Sequence, residues 1–260
     1  MGNAEKTEWR KIPLLQDTLV FSRAELEDRV DKYIAEAPEE LYCSDIVDYD
    51  KRCSREGGYM TEAGSFCEII ANKVCDSSWT VSKNPNSTYS AGRRKELRDR
   101  CAHLKNDLLA MERYIVRTDR AEPRMCHCFY IQETIDGFEA IDYELPTVKK
   151  GDKTANTGKI DLVLKKGDAV YITEVKYFGS DESLLRCVLE IQTYYMTLNE
   201  RFRIGNITRD TVKKAVLFDE SSYAFSQLEL PWAKRLLEKF EIKVLILSKD
   251  EKAFHIREYN

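Results

Sequence analysis

Three charged residues stand on two short apolar segments near the middle of the chain. Asp161 lies within GKIDLVL, and Glu174 and Lys176 lie within ITEVKYF. Alternate residues of a β-strand share a face, so Glu174 and Lys176 are expected to project together. Burying such groups on an apolar strand costs several kcal/mol unless they are paired or bind an ion. These three residues therefore form the candidate reactive centre.

Two neighbouring carboxylates and an ammonium have a definite chemical use. A hard dication such as Mg²⁺ relieves the repulsion between the carboxylates, while it keeps waters and accepts a phosphate oxygen as a ligand. The metal lowers the pKa of a bound water, and the Lys176 ammonium can orient that water or offset developing negative charge. Asp161, Glu174 and Lys176 thus supply the minimum equipment for phosphodiester hydrolysis. The competing interpretation is a surface ladder of salt bridges.

The chain contains a second Glu-x-Lys pattern, which lacks the Asp that accompanies the first one. Glu241-Ile242-Lys243 has the same spacing, but no Asp stands on a hairpin partner before it. Glu-x-Lys alone is a weak signal in a chain with 33% charged residues. The combination of Gly-x-x-Asp, Glu-x-Lys and a following helix with Gln and Tyr is far more restrictive.

A hairpin and a helix are needed to position these residues. The turn Lys165-Lys166-Gly167-Asp168 is short enough to make the two segments neighbouring antiparallel strands. Alternation places Ile160, Leu162 and Leu164 on one face and Asp161 on the other. Apolar residues at 184, 188, 191, 195 and 198 then predict a helix that carries Gln192.

The rest of the chain predicts an α/β fold with a central mixed sheet and helices on both faces. Residues 1–58 are expected to form an N-terminal extension with a helix at 23–34 opened by Ser22. Residues 59–260 are expected to form the main domain, and the two parts are expected to be one compact unit. A helix is predicted at 61–74, with Thr61 as its cap. A second, longer helix is predicted at about 93–117. It carries a narrow apolar seam that is expected to pack either on the domain or on a second subunit. Predicted strands are CHCFYIQETI and FEAIDYEL, joined at Asp136-Gly137, and later KKAVLFDE, IKVLILS and FHIREY, with PWAKRLLEKF as a helix.

Composition narrows the class of protein. With 260 residues and 43% hydrophobic content, the chain can bury a full core. It has no apolar run of roughly 18 residues and no signal-peptide pattern, so we expect a cytoplasmic protein that does not insert into a membrane. The net charge of -4 excludes a globally polycationic surface, although a local basic stripe suffices for phosphate contacts. The eight cysteines contain no C-x-x-C pattern and are expected to be reduced and buried.

The central residues also resemble a known group. GKIDLVL followed by ITEVKYF resembles the PD-(D/E)XK nuclease superfamily, and LEIQTYY is similar to the Gln-plus-Tyr motif of its RecB-like, exonuclease-type branch. The resemblance covers residues 158–195. It implies a restriction-endonuclease-like core with an N-terminal helical elaboration. It also implies a Mg²⁺- or Mn²⁺-dependent nuclease, a hydrolase that cleaves the phosphodiester bonds of DNA.

The resemblance assigns roles to individual residues. Asp161 and Glu174 would bind the metal together with the backbone carbonyl of Val175, and Lys176 would be the catalytic lysine. Glu68 would add the helix carboxylate, with Glu144 as a rival for that role. The expected nucleic-acid contacts are Gln192, Tyr195, Tyr194 and Lys159. The family's Tyr usually follows four residues after the Gln, whereas Gln192 is followed by two tyrosines and Met196, so the contacting Tyr stays open.

Several questions stay open at the level of sequence. The alternative function is a non-catalytic subunit that keeps the fold for nucleic-acid binding or assembly, with the helix at 93–117 as its interface and a homo-oligomer as one outcome. RNA is open beside DNA as a substrate. The mode of cutting, endo or exo, the sequence preference and the pathway are also open.

Overall fold

The computed structural model of this chain describes most of the region after residue 21. The described residues are 22–44, 46–47, 60–61, 64–79, 92–114, 120–147, 158–198, 202–204 and 206–259. Within them the helices are α1 Arg23–Glu36, α2 Phe66–Asp76, α3 Gly92–Cys101, α4 Leu108–Tyr114, α5 Ala121–Gln132, α6 Leu184–Thr197, α7 Tyr223–Ser226 and α8 Pro231–Lys239. Short 3-10 helices occupy Pro38–Cys43, Ala102–Leu104 and Arg209–Thr211.

The strands form one large sheet and two small hairpins. They are β1 Met60–Thr61, β2 Gly64–Ser65, β3 Thr134–Ile135, β4 Phe138–Pro146, β5 Lys159–Lys166, β6 Ala169–Val175, β7 Arg203–Ile204, β8 Ile207–Thr208, β9 Val212–Asp219, β10 Ile242–Lys249 and β11 Phe254–Glu258. The seven-stranded sheet has the order β11-β10-β9-β6-β5-β4-β3. β6, β9 and β10 are parallel neighbours, and the remaining pairs are antiparallel. The fold is therefore mixed α/β with a mostly antiparallel sheet.

Helices cover both faces of the sheet, as the sequence predicts. One apolar layer joins β5, β6 and β9 to α1, α2, α6 and α8, and it includes Val163, Ile172 and Leu189. The other layer joins the sheet to α3, α4 and α5, and it includes Phe129 and Leu164. Helix α6 connects β6 to its parallel neighbour β9, so these three elements form a crossover unit.

Local sequence signals account for several elements. Ser22 caps the start of α1, as predicted, and it forms a capping box with Glu25, since each side chain bonds to the backbone of the other residue. The predicted hairpin turn at Asp136-Gly137 is confirmed, with Ile135 paired to Phe138. Gly167 has a φ of 58° at the β5–β6 turn, a conformation that glycine adopts without a steric cost.

Three predictions about local structure are wrong. The segment CHCFYIQ belongs to helix α5 and is not a strand, because α5 is buried against the sheet on one side and α4 on the other. The cap of α2 is Ser65, whose side chain accepts a hydrogen bond from the amide of Glu68, and not Thr61. Ile160 packs in the first apolar layer, whereas Leu162 and Leu164 pack in the second.

The predicted long helix at 93–117 is also wrong in form. Helix α3 ends at Cys101, and a 3-10 turn and the residues around Asp107 separate it from α4. The described seam residues Cys101, Leu108 and Met111 are buried in the second apolar layer of this chain, while residues 115–117 lie outside the described residues. Among the described helices, none is long and apolar enough to cross a membrane.

Most of the predicted N-terminal extension is not covered by these ranges. Residues 1–21, 45 and 48–58 lie outside the described residues. The described part of the extension packs on the main domain, because Leu26, Val30 and Leu41 belong to the first apolar layer.

Candidate active site

The β5–β6 hairpin brings Asp161 and Glu174 together. Leu162 pairs with Thr173 in this antiparallel hairpin, so Asp161, one residue before Leu162, lies across from Glu174, one residue after Thr173. Asp161 Oδ2 accepts a hydrogen bond from the backbone N–H of Val175 at 3.0 Å. Glu174 is buried on β6 and is paired through the backbone to β9. The predicted proximity of the two carboxylates is therefore present in the fold.

Lys176 follows β6 and reaches into a group of acidic side chains. Its backbone N–H donates to the carbonyl of Leu217 at 2.8 Å, which extends the β6–β9 pairing by one residue. Its Nζ lies 2.6 Å from Glu174 Oε1, 2.7 Å from Glu182 Oε2 and 3.2 Å from Glu190 Oε2. Only 4% of the Lys176 side chain is exposed. The lysine is therefore a buried cation with three anionic partners.

Helix α6 supplies two residues of this site, Glu190 and Tyr194. The side chain of Ser183 caps the helix by accepting from the amide of Arg186. Residues four apart lie one above the other on a helix, and the Tyr194 hydroxyl donates to Glu190 Oε1 at 2.6 Å. Tyr194 is buried and meets Tyr42 edge to face, with ring centroids 6.1 Å apart.

A fifth carboxylate comes from α5. Glu122 lies in the first turn of this helix, and burial raises its pKa, with further effects from the charges of Lys176, Glu182 and Glu190. The Glu122 charge also acts on Asp161. We call Asp161, Glu174, Glu182, Glu190 and Glu122 the carboxylate cluster.

Burial and mutual repulsion set the protonation of this cluster. Desolvation raises the pKa of Asp161 to about 7, although the Lys176 charge and the Val175 amide oppose the rise. Desolvation and the Asp161 charge raise the pKa of Glu174 well above its ordinary value. For Glu190 desolvation acts in the same direction, but the Lys176 charge and the Tyr194 hydroxyl outweigh it, so its pKa is lowered. Glu190 therefore loses its proton more readily than Asp161 and Glu174 do.

The ammonium of Lys176 stays charged in this setting. Burial by itself disfavours the charge, but the carboxylates of Glu174 and Glu190 outweigh that effect and raise the pKa of Lys176. A second cation, Arg186, lies with its Nε 3.3 Å from Glu182. The carboxylate cluster has five acidic groups, so Lys176 and Arg186 together cannot neutralise all of them.

The carboxylate oxygens of the site could bind a further cation. Glu174 Oε2 is buried and accepts no hydrogen bond from any described residue. Glu174 and Glu190 are close enough for a hydrogen bond between their carboxyl groups, which requires a proton on one of them. A hard cation bound by oxygen ligands can replace that proton. Asp161 and Glu174 therefore fit a divalent cation chemically.

The arrangement is not a completed metal site. In the part of the chain that the structure describes, no group of three or more His, Cys, Asp or Glu side chains is arranged to hold a metal ion. The Lys176 ammonium lies where Glu174, Glu182 and Glu190 converge. A cation that binds Glu174 would compete with this lysine.

The two candidates for the helix carboxylate lie elsewhere. Glu68 is exposed on α2, and its described contact is the bond from its amide to Ser65. Glu144 lies 3.5 Å from His127 Nε2 and accepts from Lys159 Nζ at 3.2 Å. The hydrogen bond with His127 is the main reason why the pKa of Glu144 is lowered to about 2. Neither is joined to Asp161 or Glu174 by a described contact, whereas Glu122 is electrostatically coupled to Asp161.

The predicted nucleic-acid contacts are divided among three places. Gln192 is buried, and its Oε1 accepts from Lys214 Nζ at 2.9 Å. Tyr195 is half-buried, with Lys214 Nζ 4.7 Å and the guanidinium of Arg209 5.4 Å from its ring centroid. Tyr194 bonds to Glu190 within the site, and Lys159 is exposed beside Glu144. These placements leave the predicted contacts with nucleic acid untested.

Sequence reasoning missed Glu190, Glu182 and Glu122. The spacing of Glu190 and Tyr194 is the available signal for the first, since a Glu and a Tyr four residues apart share a helix face. For Glu122, the sequence Ala121-Glu122-Pro123 has the acidic residue and the early proline that favour a helix start.

Comparisons with known proteins return no relative for this chain. Scans against protein-family profiles, curated proteins and solved structures each found no match.

Proposed function

We propose that this chain is a divalent-metal-dependent nuclease that hydrolyses phosphodiester bonds of DNA. The proposal is carried by one observation. The half-buried Asp161 and the buried Glu174 and Lys176 lie in a carboxylate cluster with an excess of acidic groups, and one oxygen of Glu174 has no hydrogen-bond donor among the described residues. Such a centre is costly to fold unless it binds a cation, and strongly perturbed carboxylates concentrate at functional sites.

The residues divide the work as follows. Asp161 and Glu174 would hold Mg²⁺ or Mn²⁺, with the carbonyl of Val175 as a further ligand. When bound, the cation supplies a water of lowered pKa and a positive charge beside the scissile phosphate. Lys176 holds its ammonium at the same point, where it can bind a phosphate oxygen or orient the attacking water.

Two features of the fold support the PD-(D/E)XK proposal. The antiparallel hairpin β5–β6 carries the acidic residues and the lysine, and the crossover β6–α6–β9 places α6 against them. Within the proposal this arrangement is the restriction-endonuclease-like core, and the RecB-like branch is the group whose Gln-plus-Tyr motif the sequence resembles. Lys159, Tyr195 and Gln192 are retained as candidates for contacts with DNA.

The direct test is cleavage by the purified chain. Linear, circular and single-stranded DNA, and RNA, would be incubated with Mg²⁺ or Mn²⁺, and Asp161→Ala and Lys176→Ala are expected to abolish cleavage. Lys243→Ala is the matched control, because Lys243 belongs to the second Glu-x-Lys pattern and pairs with Glu258 near the surface. Cleavage at the wild-type rate by both site variants would refute the assignment.

One observation favours the second candidate, a non-catalytic binding or assembly subunit. Lys176 already pairs with three carboxylates, which is also how a purely structural buried ion-pair network would look. Mn²⁺ titration separates the two candidates. A nuclease should bind Mn²⁺ and lose that binding in Asp161→Ala, whereas a structural network should show no saturable binding in either protein.

A further inference from the structure

A chain of three polar contacts leads from Tyr194 of α6 through Lys176 to Glu174. The Tyr194 hydroxyl donates to Glu190 Oε1 at 2.6 Å, and Glu190 Oε2 accepts from Lys176 Nζ at 3.2 Å. Lys176 Nζ in turn donates to Glu174 Oε1 at 2.6 Å.

We infer that Glu190, held by Tyr194, is the positioning residue that keeps the Lys176 ammonium at the reacting centre when Glu174 binds a cation. This inference rests on the proposed function. It adds a residue to the reaction that the motif around Asp161, Glu174 and Lys176 does not contain.

Competition for Glu174 makes such a residue necessary. Glu174 is both a proposed metal ligand and the nearest partner of Lys176, and a dication on Glu174 repels the ammonium beside it. A lysine with no other partner would leave, because its flexible side chain is a strongly hydrated point charge. Glu190 offers a second anionic partner within the same buried space, so the ammonium can stay.

Glu190 is suited to this role because both of its oxygens are engaged. One carboxylate oxygen accepts from Tyr194 and the other from Lys176, which fixes the plane of the group. Only 12% of the Glu190 side chain is exposed. A carboxylate held in this way orients a donor well, and it would have to break a hydrogen bond before it could chelate a metal.

The surroundings of Tyr194 hold the other end of the chain. Tyr194 is 3% exposed and its ring meets the edge of Tyr42. Gly158 lies directly over the hydroxyl, where the Cβ of any other residue would collide with it. The close approach of the Tyr194 hydroxyl therefore explains why a glycine occupies position 158, at the start of GKIDLVL.

Glu182 is a weaker candidate for the same task. It also contacts Lys176, but it lies before the first turn of α6 and is shared with Arg186. Its side chain is 20% exposed, so water competes for it.

Variants of the full chain separate positioning from metal binding. Glu190→Gln keeps the volume and an acceptor for Tyr194 but removes the charge that holds Lys176, and Tyr194→Phe keeps the ring but removes the hydroxyl. We expect Glu190→Gln to lower kcat on DNA by about 10–100-fold, the usual range for outer-shell partners of metal sites. Tyr194→Phe should lower kcat by a smaller factor. Neither variant should weaken Mn²⁺ binding measured by calorimetry.

The chain contains a matched control on its surface. Glu229 accepts from the Tyr259 hydroxyl at 2.5 Å and from Lys234 Nζ at 2.6 Å, so it repeats the Tyr–Glu–Lys arrangement away from the site. Glu229→Gln and Tyr259→Phe should leave both kcat and Mn²⁺ affinity unchanged. A general effect of losing a Tyr–Glu bond would appear in these variants as well.

The outcomes also separate this inference from the proposed function. If the wild type neither binds Mn²⁺ nor cleaves DNA, the proposed function fails. If the wild type does both and Glu190→Gln retains the wild-type kcat, the positioning role is wrong. A loss of Mn²⁺ binding in Glu190→Gln would overturn it too, because Glu190 would then be a metal ligand. Thermal melting of each variant shows that the comparison is made on folded protein.

Discussion

The carboxyl group of Asp161 is expected to destabilise the metal-free protein at neutral and higher pH. Asp161→Asn removes its charge but keeps an oxygen that can accept from the Val175 amide, now 3.0 Å away. With a chelator present, this variant should therefore be more stable than the wild type. The reason is that an ionised Asp161 is desolvated and lies among Glu174, Glu190 and Glu122.

The size of the effect follows from the pKa of this group. The pKa of Asp161 is about 7 in the folded chain, whereas the ordinary pKa of an aspartate is 3.8, so the unfolded chain releases the proton first as the pH rises. Folding stability is then lost between these two values. The full difference corresponds to about 4 kcal/mol above pH 7, which is an upper limit, and to less than half of that at pH 5.

Urea unfolding followed by tryptophan fluorescence, at pH 5 and pH 8 in EDTA, measures this difference. The gain of Asp161→Asn should be larger at pH 8, and saturating Mn²⁺ should reverse the order because the wild type binds the cation. Asp168→Asn, an exposed residue of the same hairpin turn, is the control and should change little. An Asp161→Asn variant that is no more stable than the wild type at pH 8 would refute the reasoning.

Three further outcomes can be checked by similar measurements. Gly158→Ala should lower the free energy of unfolding by about 1–3 kcal/mol, because the added Cβ collides with the Tyr194 hydroxyl. Denaturant unfolding measures this loss, and the double variant with Tyr194→Phe should recover part of it. Lys176→Met removes the ammonium partner of Glu174 and should lower the free energy of unfolding in EDTA by about 3–5 kcal/mol. Thermal melts should show that Mn²⁺ restores most of this loss, and an equal gain in the stability of the wild type on adding Mn²⁺ would contradict the explanation. Asp219→Ala leaves the backbone amides of Gly179 and Ser221 without their acceptor and should lower the free energy of unfolding by about 2 kcal/mol. Faster hydrogen exchange in residues 176–183 would confirm that this loop depends on Asp219.

Local signals predicted a large part of the fold. The capping box at Ser22, the hairpin turns at Asp136-Gly137 and Gly167, and the later strands all depend on residues close together in the chain. Helix α5 shows where such reasoning fails. It packs between the sheet and α4, and Cys126, Cys128 and the residues after them are nearly all buried, so their pattern carries no clear helical period.

The candidate site divides in the same way. Asp161, Glu174 and Lys176 stand on one hairpin, so a short turn and the alternation of strand residues were enough to predict that they meet. Glu190 and Glu122 come from two helices on opposite sides of the sheet. Which face of each helix turns toward the hairpin depends on how its apolar side chains pack, and that is decided by the whole core.

The sequence alone therefore determined the hairpin, its three charged residues and the chemistry that they can support. Tertiary structure decided the partners of Lys176, because α6 places Glu190 at the lysine, whereas Gln192, a predicted nucleic-acid contact, accepts from Lys214 instead. The physical reason is that Gln192 lies two residues beyond Glu190, about 200° around the helix, so the packing of α6 can direct only one of them to the site.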